Sequence, residues 1–160
     1  MTAEQVKIRI ALPPSREGPS SENVWATAIE GQPGLYEVDN SCWFARNVGY
    51  GDVVRAVPDA YGTLWFVSVY QSANRCRFSV RLPNGRGARA CMRYSTDLAQ
   101  HFGGLREHAV PAWFVVDAPQ EQAEAIAAHL FCERAAGRIK AFERLDDPEP
   151  DTVIANWSLP

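Results

Sequence analysis

Apolar and polar residues alternate from the start of the chain. In QVKIRIA (residues 5–11) Val6, Ile8 and Ile10 share one face, and Lys7 and Arg9 the other, the period of a half-buried strand. A Pro/Gly/Ser-rich loop follows over 13–21, then a second strand over 22–30 (ENVWATAIE) that ends at the turn GQPG. Leu35–Val38 reads as a third strand, stopped by Asp39-Asn40, and Cys42–Ala45 as a further one. Gly49-Tyr50-Gly51-Asp52 is a turn feeding Val53–Val57. Residues 58–62 (PDAYG) are a hairpin turn returning into Leu64–Tyr70. Five or six short, closely spaced strands predict a β-barrel-like unit over 1–73.

The pattern changes after Ala73. Residues 75–82 alternate again, with Cys76, Phe78, Val80 and Leu82 on one face and Arg75, Arg77, Ser79 and Arg81 on the other. Residues 87–94 fit either a hairpin partner or the start of a helix. With Ser95 or Thr96 as cap, Asp97–Phe102 predicts a short helix that Gly103 and Gly104 stop. Val110–Asp117 is a continuous apolar run, the mark of a buried strand. From Pro119 to about Ala136 the apolar residues Ala123, Ile126, Ala127, Leu130 and Phe131 recur at helical spacing. Residues 138–145 predict a last strand. A strand–helix–strand run of this length predicts a right-handed crossover with parallel pairing. The expected fold class is therefore α+β, an N-terminal β-barrel-like half packed on a C-terminal ferredoxin-like α/β half (74–146), with an acidic tail over 147–160.

A recognisable order of segments runs through these elements: ENVWA, GLYEVDNSCWFARNVGYGDVVRA, the DAYGTLWF hairpin, an S-x-N-x-C segment before an arginine strand, and a closing strand–helix–strand. In that order the chain resembles a bacterial family known only as domain of unknown function 4265, over about residues 6 to 145. The family pattern would place a Ser-Gly-Asn turn where Ser72-Ala73-Asn74 stands, and it lacks the Arg- and Gly-rich stretch at Pro83–Arg93. The resemblance implies a bacterial, cytoplasmic protein and no particular activity.

Composition adds little until charge is located. The apolar content of 46% is that of a globular chain, and the net charge of −3 gives no overall pull toward nucleic acid or membrane. Four cysteines without CxxC or close Cys/His spacing predict buried reduced thiols and no metal site. No targeting segment or membrane-length apolar run is present in the sequence, and no cofactor is implied. Between Gly62 and Thr96, however, there are six arginines and no Asp or Glu, whereas residues 1–61 carry −3 and 97–160 carry −6.

Arg75, Arg77 and Arg81 lie on one strand face, and Tyr50, Asp52 and Asn74 are the polar residues around which a small-molecule pocket would converge. These six are the candidate binding residues. Such a row suits the carboxylates of a protein partner, or RNA or a phosphorylated ligand. It equally suits an edge strand guarded by charge, or an arginine face neutralised within the molecule. No nucleophile elbow, P-loop or dinucleotide fingerprint occurs. The leading expectation is a non-catalytic binding protein of the inhibitor or immunity type that acts on another protein. The alternatives are an RNA-binding or translation-linked module using the arginine strand, and a small-molecule enzyme with a pocket near Tyr50, Asp52 and Asn74.

Overall fold

The alternating segments of the first 73 residues form β1 (Gln5–Ala11), β2 (Ser21–Ala28), β3 (Leu35–Val38), β4 (Val53–Pro58) and β5 (Leu64–Gln71). The structure, a computed structural model, describes residues 4–14 and 18–146. The acidic tail expected over 147–160 lies outside the described residues. Each strand of this unit pairs antiparallel with the next, and β1 and β5 pair with one another through Ile8↔Leu64 and Arg9↔Trp65. With five strands in up-and-down order the first and last must run the same way, so the pair that closes the ring is parallel. Inside are Ile8, Ile10, Val24, Ala26, Val38, Val54 and Ala56, the even-numbered half of the alternation.

The 39–52 connection is not a strand, against the expectation for Cys42–Ala45. The carboxylate of Glu22 accepts the backbone N–H groups of Trp43, Phe44 and Ala45, the last two at 3.0 and 2.9 Å. Three consecutive amides converging on one group cannot also alternate outward as a ladder requires. The loop nevertheless contributes Cys42, Ala45 and Val48 to the core. Its exit turn needs glycine at position 51, where φ is +80°.

The second compact unit begins at Asn74. It runs β6 (Arg75–Arg81), α1 (Ala88–His101), β7 (Leu105–Val110), β8 (Trp113–Pro119), a 3-10 turn (Gln120–Gln122), α2 (Ala123–Ala135) and β9 (Ala141–Arg144). The sheet order is β7-β8-β6-β9, and every neighbouring pair is antiparallel. The expected parallel pairing across the last crossover is therefore incorrect. β6 lies between β8 and β9 and runs against both, leaving those two parallel but not adjacent. Both helices pack on the sheet face that carries Cys76, Phe78, Val80, Phe114, Val116 and Phe142. Phe78, Phe114, Ile126 and Leu130 are fully buried there, each contributing about 1.5–3 kcal/mol.

α1 starts at Ala88, about nine residues before the expected helix, and Pro83–Arg93 supplies its entry turn and first turns. Cys91, Ser95, Leu98 and Ala99 form its buried stripe. Ser95 and Thr96 do not cap the helix. Their hydroxyls donate to the carbonyl of Met92 inside it, at 2.9 and 2.8 Å. The cysteines divide: Cys42, Cys76 and Cys91 are buried and free as expected, but Cys132 is exposed.

Candidate functional site

Arg75, Arg77 and Arg81 do share one face of β6, but that face is not open to solvent. Ser79 and Arg77 are 1% and 2% exposed, and Val115 and Asp117, in register on β8, are fully buried. Arg75 donates from Nε to the carboxylate of Asp117 and from Nη2 to its carbonyl oxygen at 2.9 Å. Arg81 lies over the ring of Trp113 at 4.4 Å, and that indole donates to the Ser79 hydroxyl at 2.8 Å. Burial lowers the Arg81 pKa. The expected solvent-facing arginine row is thus incorrect. Of the positions that alternate with the helix-facing core, Arg77 and Ser79 are buried, Arg75 is half-buried and held by Asp117, and Arg81 is half-buried on an aromatic face.

Asp52 is 8% exposed. Its two oxygens accept the backbone N–H groups of Gly49 at 2.9 Å and Ala73 at 2.7 Å. A carboxylate held this way pins the strand-entry turn. Tyr50, on the same turn, is 38% exposed. Asn74 opens the second unit at φ +56°, and its carbonyl accepts the Gln120 amide. Of the expected constellation, Tyr50 and Asp52 belong to the first unit and Asn74 opens the second.

One pair of chemically suggestive residues was not anticipated. His108 Nε2 lies 2.8 Å from the Ser95 hydroxyl. Ser95 is wholly buried in the middle of α1, and its hydroxyl also contacts the Met92 carbonyl. The pair ties β7 to α1. Burial pushes the His108 imidazole below its ordinary value of 6.5.

What the structure does gather in the open is on the outside of the five-stranded ring. The strand period that buries Ile8 and Val24 turns Lys7, Arg9 and Trp25 outward. Lys7 pairs with Trp25 across β1 and β2, with its Nζ 4.6 Å from the ring centroid. Arg9 pairs with Trp65 across β1 and β5, its guanidinium 5.5 Å from that ring. Val57 lies opposite Trp65 on β4 and is 49% exposed. The indole N–H of Trp65 donates to Asp59 at 3.0 Å, which fixes the ring edge-on to the hairpin. That bond, with the backbone N–H groups of Thr63 and Tyr61, holds the Asp59 carboxyl below its usual range. Among the described residues neither Lys7 nor Arg9 forms an ion pair with a carboxylate. Two cations and two indoles therefore make one band across β2, β1, β5 and β4. The signal was present in the sequence as the polar face of QVKIRIA. It was overshadowed there by the larger charge excess further along the chain.

Residues 22–141 match the family described as Domain of unknown function (DUF4265). The chain belongs to the DUF4265 family. The DUF4265 span runs from β2 to the first residue of β9. It includes Trp25 and Trp65, whereas β1 with Lys7 and Arg9 precedes it. The chain is similar in fold to the crystal structure of a hypothetical protein from Neisseria gonorrhoeae. The TM-score is 0.72 at 10% identity, covering 91% of this chain and 97% of that one. No curated protein matches. Among the described residues no helix is long and apolar enough to cross a membrane.

Proposed function

We propose that this DUF4265 protein is a non-catalytic binding module for single-stranded RNA, with the outer band of the five-stranded ring as its platform. The observation that carries this reading is the pairing of Lys7 with Trp25, both exposed, and of Arg9 with Trp65, both half-buried, on the outer face of the ring. A flat ring accepts a base by stacking on the face its cation leaves open, and the cation over the other face meets the phosphates that link the bases. The unit as a whole is acidic, but charges beyond about 8–10 Å are screened at physiological salt. The local pair of cations governs contact. The ring, read as a small β-barrel, supplies the rigid curved support. The β-α-β-β-α-β order and antiparallel sheet of 74–146 support reading that half as ferredoxin-like. The burial of Arg77 supports this reading over an inhibitor or immunity role resting on the arginine strand.

Fluorescence anisotropy with a labelled pyrimidine-rich RNA oligonucleotide tests the proposal. Two phosphate contacts give a slope of log K against log salt of about −1.4 for a single strand. Lys7→Ala and Arg9→Ala should each bring it closer to zero by about 0.7. Trp25→Ala or Trp65→Ala should weaken binding by about 1–3 kcal/mol with the slope little changed. Absence of binding at low salt overturns the reading, as does binding indifferent to all four substitutions. Stoichiometric recovery of a protein at this band, in place of RNA, does so too.

A further inference from the structure

Between α1 and α2 runs a groove of about 290 Å³ lined by Tyr94, Asp97, Leu98, His101, His129 and Glu133. Helical spacing builds it. Asp97 and His101 stand four residues apart on α1, and His129 and Glu133 four apart on α2, so each helix presents one carboxylate and one imidazole to the other. The imidazole rings are 6.2 Å apart, and Phe102 stands edge-on to both, at 4.6 Å from His101 and 5.7 Å from His129.

The polar groups of this groove fall into two sets. Glu133 is committed. Its Oε2 accepts the Tyr94 hydroxyl at 3.0 Å, and its Oε1 accepts Arg138 Nε and Nη2 at 2.8 and 2.6 Å. That network holds the Glu133 carboxyl below its usual value and pushes the Tyr94 hydroxyl up, chiefly by burial. Asp97, His101 and His129, by contrast, make no side-chain hydrogen bond among the described residues. Their open capacity is of one kind. A carboxylate only accepts, and a neutral imidazole keeps one accepting nitrogen.

We infer that the groove binds a small primary amine as its ammonium ion. An ammonium donates to the Asp97 carboxylate and to an imidazole that lines the groove, and its alkyl stem lies along Leu98. An anion is disfavoured, because Asp97 and Glu133 both face the groove and the charge of Arg138 is already taken by Glu133. A metal ion is disfavoured by geometry. Among the described residues no three His, Cys, Asp or Glu side chains are gathered closely enough to hold one.

Calorimetric titration of the full chain with n-butylamine, with butyrate, n-butanol and zinc chloride run separately, tests this. Butylamine alone should bind. Asp97→Asn should weaken it at least tenfold, and His129→Leu severalfold, with melting temperatures close to the parent. Asp97 is exposed, so its variant tests binding without a folding cost. Equal heats from butylamine and butanol would overturn the assignment by showing that charge is not read. So would butyrate binding, zinc binding that depends on His101 and His129 without amine binding, or an Asp97→Asn variant that binds as well as the parent. The groove lies in the second unit, so the outcome is independent of RNA binding by the first.

Discussion

Three side chains carry roles that their residue types alone do not announce. Glu22 looks like one more surface carboxylate in a strand, yet it gathers three amides of a loop some twenty residues away. Glu133 continues the apolar stripe of Ile126 and Leu130 one turn further and is buried. It is stable there because Tyr94 and Arg138 satisfy it. Neither is legible from spacing, since each depends on a partner distant in sequence or on another element. His108 gives a measurable consequence. Its folded-state pKa lies below the unfolded 6.5, so above that pH it contributes no pH dependence. As pH falls below 6.5 the unfolded chain takes up a proton that the folded chain resists. Stability therefore declines until the folded-state pKa is passed. Urea melts from about pH 7.5 to 5 should show this decline reduced in His108→Gln. An unchanged profile would remove His108 as its source.

At the scale of elements, alternation identified strands where one face is buried and the other wet, as in β1 and β2. It faltered where both faces are covered or neither is. β6 alternates in sequence but is buried on both sides, so its arginines gave a false reading of exposure. β7 (LREHAV) is a half-exposed edge strand with little apolar periodicity and was not foreseen. Residues 87–94 fit two readings because Ser95 and Thr96 look like caps, and the structure takes the helical one, with the stripe Cys91, Ser95, Leu98, Ala99 spanning the longer helix. The pairing of β9 depends on where β6 inserts, which a local pattern does not contain. Gly104, where α1 hands over to β7, shows how tightly these elements approach. A Cβ there would lie 2.6 Å from the Asp117 carbonyl oxygen and 3.0 Å from the Ala118 Cβ. Gly104→Ala should therefore cost about 1–3 kcal/mol through backbone displacement. Gly85→Ala, which meets no atom within 4 Å, should cost only the strain of its positive φ. Equal, small effects of the two in denaturant titrations would contradict the close approach.

For the molecule as a whole, composition located charge correctly but not its fate. Of the six arginines between Gly62 and Thr96, Arg77 is buried and Arg75 and Arg81 half-buried on β6, while Arg89 and Arg93 are exposed on α1. The anion-seeking surface read from the sequence thus gives way to a smaller one on β1, where two cations sit beside two indoles. The thiols provide a global check on packing. Cys42, Cys76 and Cys91 are fully buried, burial pushes Cys76 up to about 11, and Cys132 is exposed. Ellman's reagent should count one reactive thiol in the native protein and all four in denaturant. A native count above one would place an additional cysteine at the surface.

The seam between β1 and β5 has a practical bearing on how the protein is handled. A fragment cut to the matched span, 22–141, discards β1 and with it the strand that satisfies β2 on one side and β5 on the other. Two rows of backbone amides and carbonyls would then face water side by side, inviting strands from neighbouring molecules to fill the gap. Residues 5–11 are the stave that keeps this vessel from opening.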